Sequence, residues 1–465
     1  MTASTGPRPI PHLREPPLVG SLFAFQKERL ELLNRINTEC GEIGAFNMGP
    51  VTIVIPNSAE LIESVMVKEA ARMGRGPFYQ LLVPLVGPNS LLTLEGEKHR
   101  RFRRLHTPLF QHKRLVSYVE PMVEFADEFQ RGIRDGQEVD MEQAMMRLAQ
   151  RVIERTLFSD RSGEADPQAL FEALAEASRY FVYRLTNLIA PPLSWPTERN
   201  RRMRNAVAVL RSRSQGLIDT WRAEGAVDRG DLLSMLMLSR DEDGSSLQNE
   251  EIIDNVLTLY NAGHETTAVA FMWILYYVSL NPEVEAKLHQ EVDTVLNGRK
   301  PEYADLARLP YTLQVVKEGL RLGSPPWVFG RAPLEDIEVQ GYKLRKGQFI
   351  MLSPYTLHRN PKYYPNPERF DPERFSPENE KKLSRYAFLP FSMGPMVCIG
   401  QQFAMMELHS MVAHLAQHLR FKVAPGEEVK PVPLITLRPS SLRMVVERRS
   451  ASSGQQPGGD LKKLA

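Results

Sequence analysis

Two cysteines occur in the chain, Cys40 and Cys398, and the second sits in the segment Phe391-Ser-Met-Gly394-Pro-Met396-Val-Cys398-Ile-Gly400. Glycines on both sides let the backbone approach a flat group, and the apolar spacing that follows predicts a helix over 399–419 with its N-terminus near the sulfur. The partial positive charge of that terminus favours a thiolate, the form in which cysteine attacks or ligates a metal. The same residue reads equally as a small buried side chain without chemistry. A second constellation, Ala262-Gly263-His264-Glu265-Thr266-Thr267, lies inside an apolar helix expected to begin near Asn249 and to end before Asn281-Pro282. Glycine costs about 1 kcal/mol relative to alanine in a helix interior, so Gly263 implies either a flat or bulky group against the backbone or plain packing. Thr266 can return its hydroxyl to the carbonyl four residues earlier. Glu265 and Thr266 then offer an acid and an alcohol for proton delivery, while His264 reads as a solvated or core residue.

Further pairs share this chemistry-bearing character. Glu318-Gly-Leu-Arg321 places a carboxylate and a guanidinium on one helix face, but Glu128/Arg131, Glu176/Arg179 and Glu198/Arg201 have the same spacing. Such pairs are usually surface contacts worth about 0.3–0.5 kcal/mol. In Glu97-Lys-His-Arg-Arg-Phe-Arg-Arg-Leu, His99 and Arg103 fall on one face, on a run that is otherwise a solvated basic stripe.

Together these segments resemble the cytochrome P-450 superfamily, whose ligand loop reads Phe-x-x-Gly-x-Arg-x-Cys-x-Gly. Phe391, Gly394, Cys398 and Gly400 match, as do Ala404 and Glu407 on the next helix, whereas Met396 stands where most members carry Arg or His. The Gly263–Thr266 stretch resembles the family's distal helix. Glu318 and Arg321 match its Glu-x-x-Arg pair, and Pro372-Glu373-Arg374-Phe375 matches the segment whose Arg completes a Glu–Arg–Arg cluster. His99, Arg103 and Arg331 match positions that bind haem propionates, for which guanidinium groups are suited. The matches run in order from about residue 14 to residue 448.

The resemblance implies a mainly α fold with small β-sheets, enclosing haem b (iron protoporphyrin IX) between the distal helix and the Cys398 loop. It implies Cys398 as the iron ligand, a thiolate that pushes electron density toward O–O cleavage. Glu265 and Thr266 would manage protons while one atom of molecular oxygen enters an apolar fatty acid, terpenoid, steroid or polyketide. Phe78, Leu81, Phe181, Leu259, Trp327, Val328 and Ile435 are expected to line the substrate pocket. No flavin- or nicotinamide-binding module is visible, so separate ferredoxin or flavodoxin and reductase partners are expected. Two other readings stay open: a haem-thiolate isomerase, dehydratase or peroxygenase, and a non-catalytic haem sensor.

The elements that must position these residues follow from punctuation and periodicity. A Pro-rich entry, Pro7–Pro17, feeds a helix near Phe23–Cys40 and a hairpin about Gly49-Pro50. Helical spacing dominates from Ala59 to about Leu320, broken at Pro77–Asn89 and Pro191–Pro196, the candidate substrate loops. A β region is expected over Ile337–Met351, then a long structured loop rich in proline, then the helix after Cys398 and a terminal hairpin from Phe421–Ala424 and Leu442–Glu447. Prolines number 35 in 465 residues, above the usual ~5%, and many lie in that loop.

Composition bounds the rest. A 42% hydrophobic, 25% charged chain is globular, and two cysteines exclude a four-Cys iron–sulfur cluster and suit a reducing cytoplasm. A net charge of +2 provides no field for nucleic acid. Prolines and charges break the first thirty residues, so neither secretory signal nor membrane anchor is expected. The expected organisation is a monomer with one haem domain over 1–448 and a disordered polar tail over 449–465.

Overall fold

Apolar periodicity becomes a set of long helices: His112–Gly132, Met141–Leu157, Pro167–Thr186, Glu198–Ala223, Asn249–Ser279, Pro282–Leu296, Pro310–Leu322 and Gln401–His418. Residues 7–159, 167–187, 190–240 and 244–449 are described by a computed structural model. The expected polar tail lies, from Ser450 onward, outside the described residues.

Asn249–Ser279, the distal helix, is 31 residues long and apolar on nearly every side, which makes it the axis of the core and not a surface helix. Its start is set by Glu251, whose carboxylate accepts the Gln248 N–H at 2.8 Å. Pro282 occupies the first turn of the following helix, where its missing N–H is harmless. The distal helix packs on Met141–Leu157 and Pro310–Leu322. At the crossing with Met141–Leu157, a Cβ on residue 263 would stand 2.6 Å from Ile153 Cδ1. Close helix packing against Ile153 is therefore one reason for Gly263.

The main sheet has five strands in the order Ile43–Met48, Val51–Pro56, Phe349–Leu352, Phe329–Pro333, Met73–Gly74. Only the Val51–Pro56/Phe349–Leu352 pair is parallel, with Ile53 opposite Phe349. Strand Phe329–Pro333 is buried along its length and carries Arg331 inward. The terminal hairpin forms as Leu419–Val423 against Arg443–Arg448. It also recruits Gln137–Asp140, a charged stretch with no strand signal of its own. A second small hairpin, Pro431–Pro433 with Leu437–Pro439, was hidden by its prolines. Among the described residues no helix is long and apolar enough to cross a membrane.

Candidate active site

The Cys398 loop is held by hydrogen bonds that converge from distant sequence. Arg321 and Glu318 are both fully buried and meet through two bonds, Nε to Oε2 at 2.7 Å and Nη2 to Oε1 at 2.8 Å. The remaining donors of Arg321 reach the carbonyls of His358 and Pro367, each at 2.7 Å, and Arg369 at 3.1 Å. Glu318 also accepts the Asp371 N–H at 2.7 Å and has Arg374 Nε at 3.5 Å. Burial pushes the Glu318 carboxyl above its ordinary range, and Arg321 pulls it back down.

His358, which sequence reading missed, carries the scaffold onward. Its Nδ1 lies 3.0 Å from the Arg321 carbonyl, and its Nε2 accepts the Leu389 N–H at 2.8 Å. That pattern makes it a neutral imidazole protonated on Nδ1, and burial lowers its pKa to about 3. Two residues past Leu389 the loop begins: Cys398 N–H donates to the Phe391 carbonyl at 2.9 Å. Gly394, at φ +67°, is required because a Cβ would collide with the Met66 carbonyl oxygen. Gly400 caps the helix Gln401–His418. Cys398 keeps accessible surface as a residue although protein surrounds its thiol. Burial pushes its thiol up, against which the Gly400 amide and Arg103 favour the thiolate.

Three guanidinium groups and one imidazole gather beside this loop. Arg103 donates to the Val397 carbonyl at 2.7 Å, and Arg331 Nη2 reaches Ser392 Oγ at 3.4 Å. His99 is buried, and burial followed by Arg75, Arg103 and Arg331 lowers its pKa to about 4. Arg75, absent from the sequence reading, is buried with its guanidinium on the Leu94 and Leu91 carbonyls at 3.0 and 2.8 Å. Its only signal was its place between Gly74 and Gly76. Among the described residues none of these four forms an ion pair with a carboxylate. Arg75 and Arg331 are buried guanidinium groups outside any ion pair, which is costly, so with half-buried Arg103 and neutral His99 the set fits a ligand that brings its own carboxylates, as haem does with its propionates. A thiolate and, beside its loop, a carboxylate-seeking cluster are the donor set that haem needs, and the residues present fit the group.

The distal helix presents a short accessible stretch, Asn261, Ala262, Gly263 and Thr266, between buried flanks. Thr266 Oγ1 returns to the Ala262 carbonyl at 2.7 Å, as expected. Glu265 does not turn to that hydroxyl. Its Oε1 instead accepts Thr436 Oγ1 at 2.7 Å and Arg438 Nη2 at 2.8 Å. His264 is buried with Nδ1 3.1 Å from the Tyr260 carbonyl, a core residue. Glu407, fully buried on the helix after Cys398, has no hydrogen-bond partner for either carboxylate oxygen among the described residues, and burial pushes its carboxyl well above the ordinary range.

The pocket residues divide. Phe78 packs edge-on against Phe181 with centroids 5.3 Å apart. Leu81 and Ile435 are half-buried, and Leu259 and Val328 are buried. Trp327 is a correction: at 1% exposure it is core, in one buried cluster with residues such as Phe25 and Phe349 and donating Nε1 to the Leu434 carbonyl at 2.9 Å. It supports the wall instead of lining it.

Comparison with known proteins agrees with this geometry. The family model described as Cytochrome P450 matches residues 10–445. Cyclooctatin synthase of Streptomyces melanosporofaciens is 35% identical, over 93% of this chain and 94% of the relative. Pentalenene oxygenase of Streptomyces avermitilis is 33% identical, over 93% and 96%. A crystal structure of the cytochrome P450DA heme domain superposes with a TM-score of 0.86 at 26% identity, covering 96% of this chain and 99% of that one. The chain belongs to the cytochrome P450 family and is a haem-thiolate monooxygenase, a class that takes oxygen, electrons from redox partners and a small-molecule substrate.

Proposed function

We propose that this P450 hydroxylates an apolar polycyclic terpenoid with haem b as its cofactor and electrons from a separate ferredoxin or flavodoxin and its reductase. The observation that carries the cofactor assignment is the buried trio Arg75, His99 and Arg331 with half-buried Arg103, none in an ion pair with a carboxylate among the described residues, beside the Cys398 loop. Cys398 is the iron ligand in this reading, and the three arginines with the neutral imidazole of His99 hold the propionates, Arg75 supplying charge that Met396 cannot. Haem supplies oxygen activation: substrate, O2, two electrons and two protons give a hydroxylated product and water. The chain's own share is to hold the thiolate rigidly, to line the pocket with Phe78, Leu81, Phe181, Leu259, Val328 and Ile435, and to move protons past Glu265 and Thr266. The terpenoid assignment is supported by the names of the relatives, cyclooctatin synthase and pentalenene oxygenase, and by the aromatic and aliphatic pocket. Residues 1–448 act as one haem-binding unit in this reading.

The test is spectroscopic. The carbon monoxide complex of the reduced protein should show the red-shifted Soret band of thiolate ligation, and Cys398→Ser should abolish it. An imidazole-type band in the unmutated protein overturns the assignment. Pentalenene should shift the spin state at lower concentration than a linear fatty acid or a steroid; the reverse order overturns the substrate class.

A further inference from the structure

Glu265 is held from outside its own helix. Its Oε1 takes Thr436 Oγ1 at 2.7 Å and Arg438 Nη2 at 2.8 Å, while Arg438 sends Nη1 to Glu142 Oε1 at 2.8 Å. Three elements meet here: the distal helix, the first turn of Met141–Leu157 and the small hairpin Pro431–Pro439. Two carboxylates share one guanidinium, so neither has a full counter-charge. Both donors converge on Oε1, and among the described residues no hydrogen bond is drawn to Oε2. The side chain of Glu142 is 29% exposed and that of Glu265 11%, so the triad runs from solvent to the middle of a buried helix.

The hairpin gives these donors a defined place. Trp273 Nε1 donates to the Leu437 carbonyl at 2.6 Å, Leu437 N–H to the Pro325 carbonyl at 2.8 Å, and Trp327 Nε1 to the Leu434 carbonyl at 2.9 Å. Between the two pinned residues stand Ile435, half-buried, and Thr436, buried. From this juxtaposition we infer that Arg438 and Thr436 are positioning residues that aim Glu265, with Oε2 as the oxygen that takes and releases protons during oxygen reduction. The hairpin that bears pocket residue Ile435 thereby also governs proton delivery, a role that rests on the monooxygenase reading above.

Oxygen reduction itself reports on aim. Two electrons and two protons convert O2 to hydrogen peroxide, whereas four of each convert it to two waters, and well-placed late protons carry the reaction past peroxide. Turnover with a surrogate ferredoxin and reductase and no organic substrate lets the water-to-peroxide ratio be read from NADPH, oxygen and peroxide balances. Arg438→Gln should lower that ratio at least threefold, Thr436→Val should lower it less, and Arg438→Lys should restore it to within twofold of the parent. Glu265→Gln should lower it as far, and the Glu265→Gln/Arg438→Gln double variant should be no worse than Glu265→Gln alone. The 4-phenylimidazole dissociation constant and the carbon monoxide spectrum should stay within twofold and unshifted, reporting an intact pocket and thiolate. An unchanged ratio in Arg438→Gln, or effects that multiply in the double variant, overturns the positioning role. A parent without the thiolate spectrum overturns the functional reading instead.

Discussion

Two glutamate–arginine centres flank the proposed haem cleft, and they differ in how completely they are closed. Glu318 and Arg321 are neighbours on one helix, show no accessible side-chain surface, and satisfy one another within a ring of backbone carbonyls. Glu265, Arg438 and Glu142 come from three elements, share one cation between two carboxylates and open to solvent at Glu142. A closed centre fixes a loop in one place, which suits a thiolate that must not move. An open one can exchange protons with water and shift slightly, which suits an acid that must turn over.

Breaking the closed centre should have the largest effect. Arg321→Ala leaves the buried Glu318 with only the Asp371 N–H and the more distant Arg374 and orphans three carbonyls, at a cost of about 3–5 kcal/mol; urea unfolding and soluble yield measure it. A loss below about 1 kcal/mol would show that the two centres are energetically alike.

His358 extends that centre and should make it sensitive to acid. Its pKa is lowered to about 3 by burial, against about 6.5 in an unfolded chain. The unfolded state therefore binds the proton first, so the stabilisation is complete above about pH 6.5 and is lost progressively as pH falls toward 3. His358→Asn keeps a donor for the Arg321 carbonyl but strands the Leu389 N–H. It should cost about 1–3 kcal/mol at pH 7.5, and its stability should fall less steeply than the parent's between pH 6.5 and pH 4.5.

The smallest effect belongs to the outer end of the open centre. Glu142→Gln removes a partly exposed carboxylate whose interaction is screened by water, at a cost below about 1 kcal/mol in urea unfolding. A cost comparable to that of Arg321→Ala would mean that the open centre is a structural lock as well.

The contrast also explains what spacing could convey. Glu318/Arg321 and Glu176/Arg179 are identical as a pattern, and both form ion pairs, but the Arg179 side chain is 63% exposed and that of Arg321 is 0%. Glu128 pairs with Arg151 and Glu198 with Arg202, not with the arginines three residues on. Spacing reports which side chains can meet along one helix; burial, which decides the energy, depends on what packs over them. Arg75 and His358 stayed invisible for the same reason, since each draws its role from partners in other segments.

What the sequence determined by itself was local: the thiolate segment about Cys398, the apolar axis with Thr266 turned back on Ala262, and the order of motifs that marks the family. These depend on neighbours within a few residues, and backbone periodicity and turn chemistry suffice for them. Only the tertiary structure assigned Gly263 to Ile153, withdrew Trp327 from the pocket, gathered Arg75 with His99, Arg103 and Arg331, and turned Glu265 toward Arg438. Each of those outcomes is a contact between segments far apart in the chain, and a side chain's direction there is settled by whichever partner best satisfies its charge or volume.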